Sequence, residues 1–171
     1  MVAIFCVCFL LLFAAGYCYQ NLSRITGIIA SQSSEFIDAS LAVDNNYRQN
    51  YPECAHTGKK ANFAWFQLDL KNRYSLKSVK IFFRNEATWP PYRIRQFYLD
   101  VSNSSADTST QRVRCYTDNT TAPATPAPVL DIPCKQTARY VIVETTYHAP
   151  EDTDSTGPVL EICEIEVIGN H

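Results

Sequence analysis

Residues 40–57 read Ser40-Leu-Ala-Val-Asp44-Asn-Asn46-Tyr-Arg-Gln-Asn-Tyr-Pro-Glu53-Cys54-Ala-His56-Thr57, and this stretch decides how the remainder of the chain is interpreted. It contains carboxylate and amide oxygens suited to a hard cation, together with one cysteine and one histidine. Its apolar residues show little regular periodicity, which indicates a long shaped loop rather than a strand. Because long structured loops in small domains usually carry function, the stretch predicts a cation-braced loop beside a binding pocket.

The length and the first residues indicate one secreted domain. A chain of 171 residues suffices for a single domain of ordinary size. Residues 1–18 are strongly apolar and uncharged, too short for a stable membrane span, and rich in small residues near their end, which predicts a signal peptide. Cleavage after Gly16 or after Cys18 fits this pattern. No second apolar run follows, so we expect a soluble domain over residues 19–171 without a transmembrane segment.

The cysteines and glycosylation sequons agree with an extracellular protein. Of the seven cysteines, two fall within the predicted signal peptide, and the fate of Cys18 depends on the cleavage point. The four others form an even set that permits three pairings: Cys54, Cys115, Cys134 and Cys163. If Cys18 is retained, the chain has an odd thiol that could form an intermolecular disulfide. The sequence therefore leaves a homo-oligomer as one possible state. Three N-glycosylation sequons begin at Asn21, Asn103 and Asn119.

Short alternating segments predict an all-β sandwich or barrel. No amphipathic helix is evident, and polar turn segments, among them Lys71-Asn-Arg-Tyr, separate the apolar runs. The residues 118–133, rich in Thr, Ala and Pro, lack a pattern and are expected to form a loop. The predicted strands are residues 62–70, 78–83, 96–101, 111–115, 139–144 and 160–167.

The last predicted strand changes phase in the middle. Leu160 and Ile162 share one parity, whereas Cys163, Ile165 and Val167 share the other, which predicts a β-bulge near residue 163. A disulfide between Cys54 and Cys163, if it forms, would place the following residue, Glu164, beside the loop that begins at Asp44.

Charge and motif content argue against several classes of function. The net charge is −2 and the sequence has no basic cluster, which argues against a nucleic-acid partner. The chain has no convincing nucleophile motif and no zinc-ligand spacing. Glu161, Glu164 and Glu166 are neighbouring carboxylates of one strand, whereas a catalytic acid and base must converge from separate elements. We therefore expect a protein that is not an enzyme.

A set of landmarks in a fixed order gives the chain a family resemblance. They are Ala30-Ser-Gln-Ser-Ser34, Ala39-Ser-Leu-Ala-Val-Asp44-Asn-Asn46, Cys54-Ala-His56-Thr57, Trp65-Phe-Gln-Leu-Asp-Leu70, Arg84 with Arg93, and Leu160-Glu-Ile-Cys-Glu-Ile-Glu-Val167. Over residues 21–169 the chain resembles the F-type lectin domain (fucolectin, also grouped with tachylectin- and pentraxin-like domains) of the discoidin or coagulation-factor type C superfamily. The resemblance implies a disulfide-stapled jelly-roll β-sandwich with its ligand site in the loops at one end.

The resemblance also implies a calcium site and two disulfides. The calcium ligands would be the carboxylates of Asp44 and Glu164 and the backbone carbonyls of Leu41, Asn46, Glu53 and Cys163. Such a mixture of oxygen ligands suits Ca²⁺, which takes six to eight of them. Asn45 stands where the family prefers glycine, and Asn is the next best residue if that position has a positive φ. The implied disulfides are Cys54–Cys163 and Cys115–Cys134.

A fucose pocket is the functional implication of the resemblance. Its residues would be His56, Arg84 and Arg93, with Arg95 as a competing match for the second arginine, since strand alternation points both the same way. Glu86 replaces the family's Asp and would orient the arginines. The adjacent cysteines of well-studied family members are absent, so either Trp89 or Tyr92 would form the apolar wall, or the loop between Arg84 and Arg93 would close the pocket. The expected partners are thus fucosylated glycans.

A second interpretation is a discoidin-like module without lectin activity. Superfamily relatives bind phospholipid or protein through exposed apolar spikes on end loops, and Trp89-Pro-Pro-Tyr92 is the candidate spike in this chain. Flanking lysine clusters are missing, which weakens the case for an anionic membrane.

Overall fold

The computed structural model describes residues 18–89, 91–108, 111–153 and 157–171, so the predicted signal peptide lies outside the described residues except for Cys18, which is exposed and not in a disulfide. Short 3₁₀ turns cover Leu22–Arg24, Ala39–Val43 and Tyr92–Ile94. The strands are β1 (Gln20–Asn21), β2 (Ile29–Gln32), β3 (Ala55–His56), β4 (Ala64–Phe83), β5 (Phe97–Ser102), β6 (Val113–Thr117), β7 (Val129–Pro133), β8 (Thr137–Thr145) and β9 (Glu161–Asn170).

Strand β4 connects the two halves of the sandwich. Its first part pairs with β2 and β8, and its second part pairs with β7 and β9, all antiparallel. Pairing with β8 is irregular between Asp69 and Tyr74, where Lys71 has a φ of 68°. The predicted turn at Lys71 is therefore a bend inside one long strand, because the chain continues beside β8 on both sides of it.

Both ends of β4 lie at the same end of the molecule. Ala64 pairs with Thr145, which pairs with Phe97, and the Phe97 ring packs on the Phe83 ring with 5.2 Å between centroids. The bend near Lys71 consequently lies at the opposite end. The same strand therefore contributes residues to both ends of the sandwich.

The core forms between the inward faces of the two halves. Alternating residues of β4, among them Phe66, Leu68, Ile81 and Phe83, are buried, as are the alternating apolar residues of β9. This architecture confirms the all-β jelly-roll sandwich predicted from the periodicity and the resemblance. No helix in the described ranges is long and apolar enough to cross a membrane.

One predicted loop contains a strand. Residues 118–133 are not patternless throughout, because β7 occupies Val129–Pro133 and pairs with Ser78–Phe82 of β4. Only Ile132 of β7 is fully buried, so its apolar signal is weak, and Pro133 ends it. Strand β2 was also not predicted, since its residues are largely small and polar.

The structure contains both disulfides that the resemblance implies, Cys54–Cys163 and Cys115–Cys134. The predicted bulge is confirmed, because Phe82 pairs with Glu164 and the next residue, Phe83, pairs with Ile162. Cys163 is the extra residue of β9 at this point. The first disulfide therefore fastens residue 54, and with it β3, to a bulge at the beginning of the last strand.

The three sequons differ in their surroundings. Asn103 and Asn119 are exposed, whereas Asn21 is partly buried and its Oδ1 accepts hydrogen bonds from the backbone of Ser23 and Val167. Glycosylation at each of them stays a prediction.

Candidate functional site

A pocket of about 250 Å³ opens at the end of the sandwich where β4 terminates and β9 begins. His56 lies in β3, Arg84 directly follows β4, and Arg93 lies in the 3₁₀ turn before β5. The structure therefore brings together the three residues that the sequence nominated for a sugar site. The lining consists of Phe36, Tyr51, His56, Lys59, Arg84, Trp89 and Arg93.

The carboxylate of Glu161 is the common partner of this pocket. Glu161 is only 2% exposed and begins β9. Its Oε1 lies 2.7 Å from Arg84 Nη1 and 3.1 Å from His56 Nε2. Its Oε2 lies 3.1 Å from Trp89 Nε1 and 3.4 Å from Arg93 Nη1. Four side chains from three segments are thus oriented by one buried acid.

Positive charge keeps Glu161 ionised. Burial alone raises the pKa of this carboxyl, but the hydrogen bond and charge of His56, the charge of Arg93 and the hydrogen bond from Arg84 lower it to about 2. In the sequence, Glu161 stands out only as one of three carboxylates in a predicted strand. The available signal was an acid flanked by the apolar residues Leu160 and Ile162 at the start of the last strand.

Arg93 and Arg95 diverge, which corrects the expectation that they point the same way. Arg93 Nε and Nη2 donate to Asp152 at 2.6 and 2.8 Å, and its third nitrogen faces Glu161. Arg95 instead donates to Glu151 and to the carbonyl of Ala124, away from the pocket. The alternation rule failed because residues 92–94 form a 3₁₀ turn rather than a strand.

Glu86 does not bridge the two arginines. Its Oε1 accepts from Arg84 Nε at 2.6 Å and from the backbone of Tyr51 at 2.7 Å. The carboxylate shared by Arg84 and Arg93 is Glu161. Glu86 therefore fixes Arg84 to the loop that carries Tyr51, and Asp152 performs the corresponding function for Arg93.

His56 is almost completely buried, and both of its ring nitrogens face oxygens of the protein. Nδ1 lies 2.5 Å from the carbonyl of Thr57, and Nε2 lies 3.1 Å from Glu161. Its ring also packs against Phe36, with 4.9 Å between centroids. In this arrangement His56 orients Glu161 and supports the pocket wall. Direct acceptance of a sugar hydroxyl by His56 stays a prediction.

The aromatic surfaces of the pocket come from two loops. Trp89 is half-buried and lies between two guanidinium groups, with 4.8 Å from Arg84 Cζ and 4.4 Å from Arg93 Cζ to the ring centroid. It packs into the protein and is not an exposed spike. Phe36 and Tyr51 are 56% and 50% exposed and were not predicted as lining residues. Their only signal was an aromatic residue in a polar segment.

The nominated cation ligands are linked only in part, and the described residues contain no group of three or more His, Cys, Asp or Glu side chains placed to hold a metal ion. Asn45, with a φ of 70°, donates its backbone N–H to Glu164 Oε2 at 2.8 Å, and Asn46 Nδ2 donates to Glu53 at 2.7 Å. Cys163 is joined to Cys54 next to Glu53. Glu164 therefore lies beside the loop as expected. The set of Leu41, Asp44, Asn46, Glu53, Cys163 and Glu164 offers carboxylate and carbonyl oxygens, which fit a calcium ion in type.

Arg24 shares the Glu164 carboxylate and was not predicted to do so. Arg24 Nη2 lies 3.1 Å from Glu164 Oε2, and its Nη1 donates to the carbonyl of Val43 at 2.9 Å. Burial raises the pKa of Glu164, and the hydrogen bond from Arg24 acts in the opposite direction. The Arg24 guanidinium thus already compensates part of the negative charge of Glu164 that would attract a cation.

Comparison with solved structures identifies neighbours of the same fold. A fucolectin from striped bass (Morone saxatilis) serum has a TM-score of 0.69 and 24% identity over 90% of this chain, which spans half the length of that fucolectin chain. The lectin domain of lectinolysin, complexed with Lewis b antigen, has a TM-score of 0.65 and 26% identity, covering 86% of this chain and 95% of that one. A Streptococcus pneumoniae fucose binding module, SpX-3, has a TM-score of 0.62 and 22% identity, covering 86% and 96%.

Comparison with protein families gives the same assignment. No curated protein sequence matches the chain. The family model described as the NedA-like, galactose-binding domain of F5/F8 type C matches residues 41–143, which include His56, Arg84 and Arg93. This match confirms the resemblance to the coagulation-factor type C superfamily. The chain belongs to the NedA-like, galactose-binding domain family of F5/F8 type C domains.

Proposed function

We propose that this protein is a secreted, calcium-braced lectin that binds a fucose-type glycan in the pocket around Glu161. The observation that carries the proposal is the arrangement of Arg84 and Arg93 around one buried carboxylate, beneath the two exposed aromatic rings of Phe36 and Tyr51. Sugars present vicinal hydroxyls on one side and C–H groups on another. A fixed set of polar groups beside an apolar wall suits both.

The polar groups that remain for a ligand are the less engaged atoms of this network. Among the described residues, no hydrogen bond uses Arg84 Nη2, and the contact from Arg93 Nη1 to Glu161 is long at 3.4 Å. These guanidinium donors would bind sugar oxygens, while the carboxylate of Glu86 or Glu161 would accept from a sugar hydroxyl. Because their partners hold them in place, little conformational entropy would be lost on binding.

The pocket has the size and charge for a neutral terminal sugar. A volume of about 250 Å³ is below the range of drug-sized sites and fits one monosaccharide. Arg84 and Arg93 are balanced by three carboxylates, Glu86, Asp152 and Glu161, with Lys59 exposed at the rim. The complex of the lectinolysin lectin domain with Lewis b antigen supports the choice of fucosylated glycans.

Calcium would stiffen the loop behind the pocket. The proposed ligands are Asp44, Glu164 and the carbonyls of Leu41, Asn46, Glu53 and Cys163. Two contacts support this choice: the disulfide joins Cys163 to Cys54, next to Glu53, and the N–H of Asn45 donates to Glu164. The ion would supply only charge and rigidity in this proposal. The residues of the chain make the glycan contacts and carry out no chemical reaction.

Secretion is part of the proposal. It is supported by the apolar residues 1–18, the two disulfides and the exposed sequons at Asn103 and Asn119. An oxidising compartment is where such disulfides persist.

A glycan array tests the proposal. The secreted protein is screened with calcium and again with EDTA, beside the variants Arg84→Ala and His56→Ala, with Lys60→Ala as an exposed control outside the pocket lining. We expect calcium-dependent binding to fucosylated glycans that both pocket variants lose and the control retains. Folded, calcium-loaded protein that binds no glycan on the array would refute the lectin assignment.

A further inference from the structure

A second concave surface lies at the opposite end of the sandwich, beside the bend of β4. It is a cleft of about 670 Å³, larger than the pocket around Glu161. It is formed by residues after the bend, by the connection between β7 and β8 with the first residue of β8, and by Tyr19 near the start of the described chain. The lining consists of Tyr19, Ser75, Leu76, Lys77, Lys135, Gln136 and Thr137.

The two walls of this cleft are fastened to each other. The backbone N–H of Leu76 donates to the carbonyl of Gln136 at 2.7 Å, and that of Cys134 donates to the carbonyl of Lys77 at 3.0 Å. Cys134 is also held by its disulfide with Cys115. The segment that carries Lys135 is therefore fixed relative to β4, so the two lysines of the cleft keep a stable spacing at their backbones.

The lining is positively charged and has hydrogen-bonding groups throughout. It includes Lys77 and Lys135, both exposed, and no carboxylate. The Lys77 ammonium lies over the Tyr19 ring, 4.8 Å from its centroid, which restrains its position. Ser75 and Thr137, directly paired across the two strands, add hydroxyl groups.

Neighbouring positions of the two segments also carry basic residues. The same two chain segments carry Lys71, Arg73 and Arg139, although Lys71 and Arg139 share the carboxylate of Asp69. Arg73 is exposed. Five basic residues from positions 71–77 and 135–139 thus gather at one end of a chain whose net charge is −2. The sequence showed no basic cluster because the two segments are about 60 positions apart and meet only in the fold.

We propose that this cleft is a second binding site, which takes a sulfated polysaccharide independently of the pocket around Glu161. Sulfate groups would pair with the ammonium groups of Lys77 and Lys135, and the hydroxyls of the sugar chain would bind Ser75, Thr137 and Gln136. The cleft volume accommodates more than one sugar ring.

The chemistry of the cleft favours this ligand over other polyanions. A membrane surface would require several exposed apolar side chains to insert, yet Leu76 is buried, and Tyr19, which is 46% exposed, has the Lys77 ammonium over its ring. A single-stranded nucleic acid would require a series of free aromatic faces for stacking, and Tyr19 is the one aromatic residue of the lining. A sulfated polysaccharide needs neither inserted apolar side chains nor stacked aromatic rings, and its hydroxyl and sulfate groups match the polar and basic lining.

Dextran sulfate and unsulfated dextran, which share a backbone, provide the direct test. The whole secreted protein is titrated with each polymer at about 50 mM salt and again at about 0.5 M salt, where screening shortens the range of charge interactions. We expect at least about tenfold tighter binding to dextran sulfate at low salt and loss of this preference at high salt. The double variant Lys77→Glu/Lys135→Glu should weaken binding to dextran sulfate at least about tenfold.

Controls separate this site from charge in general and from the proposed lectin pocket. Lys60→Glu makes the same reversal at an exposed lysine of the other end and should change the affinity for dextran sulfate less than about twofold. Arg84→Ala should likewise leave dextran sulfate binding unchanged, whether or not the pocket binds fucose. Equal affinity for both polymers, or an equal loss in Lys60→Glu, would overturn the proposal. Binding to phosphatidylserine vesicles but not to dextran sulfate would also overturn it, in favour of a lipid surface.

Discussion

The Glu161 carboxylate and the Arg84 guanidinium are hydrogen-bonded, with 2.7 Å between Oε1 and Nη1, although 77 positions separate them in the sequence. The contact joins the end of β4 to the beginning of β9. Because His56, Trp89 and Arg93 also face this carboxylate, the shape of the pocket depends on Glu161. Its removal is therefore the most direct perturbation of the candidate site that leaves the backbone intact.

Glu161→Gln should destabilise the protein by about 2–4 kcal/mol, because it leaves buried cationic groups with less compensation. The free energy of unfolding is measured by urea denaturation. Glu166→Gln is the matched control, since Glu166 lies in the same strand, is half-buried and bonds Tyr47 alone among the described residues. It should cost less than about 1 kcal/mol. Equal losses in the two variants would contradict a special role of Glu161.

Arg93→Lys and Arg95→Lys should have different effects on glycan affinity. Lysine cannot reproduce the two parallel bonds from Arg93 to Asp152, so Arg93→Lys should weaken fucosylated-glycan binding at least about tenfold. Arg95 bonds Glu151 outside the pocket, so Arg95→Lys should lower stability by about 1–3 kcal/mol with glycan affinity unchanged. Isothermal titration and thermal unfolding check the pair. The reverse order of affinities would assign the second arginine of the pocket to Arg95.

Phe36→Ala should reduce glycan affinity without unfolding the protein. The Phe36 ring is exposed at the pocket, and its loss as a sugar platform should cost about 1–2 kcal/mol of binding, or roughly 5- to 30-fold. Its exposure limits the change in stability to about 0.5 kcal/mol. Phe63→Ala is the control, because Phe63 is similarly exposed, at 49%, but does not line this pocket. Unchanged affinity in Phe36→Ala would exclude Phe36 as the platform.

Calcium should stabilise the Arg24→Met variant more than the unmodified protein. Arg24 compensates the buried Glu164 in part, so the variant in EDTA should unfold at a lower temperature, and calcium should restore more of the loss. Differential scanning calorimetry measures the unfolding temperature of each protein in EDTA and again with calcium in excess. The two measurements give the destabilisation by the substitution and the stabilisation by calcium. If neither protein responds to calcium, the ligand set around Asp44 and Glu164 does not bind the ion.

Acid should weaken the end of the sandwich that carries Asp69. The hydrogen bond from Arg139, with further bonds from Lys71, lowers the pKa of Asp69 to about 2, below its ordinary value. The lower value in the folded state means that this stabilisation is present above about pH 4 and is lost as the pH falls toward 2. We expect a loss of about 1 kcal/mol, allowing for solvent screening, which Asp69→Asn should abolish. An unchanged pH slope in Asp69→Asn would contradict this assignment.

Alternation and order of landmarks predicted most of the fold. Apolar residues at every second position of β4, β5, β8 and β9 bury one face of each strand, whichever strand lies next to it. The phase change at Cys163 correctly predicted a bulge. Strand β7 escaped prediction because its signal depends on pairing with the distant second half of β4. The turn predicted at Lys71 became a bend, since β8 continues alongside both parts of the strand.

The sequence predicted several residues of the candidate site but not the side-chain contacts between them. His56, Arg84 and Arg93 carry a recognisable pattern, whereas the acid that orients them follows from three-dimensional convergence on Glu161. The position of Phe36 in the pocket lining likewise could not be predicted, because it depends on how its loop is placed in the fold. Arg24 has no sequence signal at all for its contact with Glu164, because 140 positions separate the two residues.

The clamp between Cys54 and Cys163 has a thermodynamic consequence for the two neighbouring sites. Glu161 faces the pocket and Glu164 accepts from Asn45 of the proposed calcium loop, and the disulfide holds the segment between the two acids to the residue next to β3. If both proposed sites bind their ligands, ordering of one would restrict the freedom of the other. Linkage then requires reciprocity: whatever factor calcium contributes to glycan affinity, the bound glycan must contribute to calcium affinity.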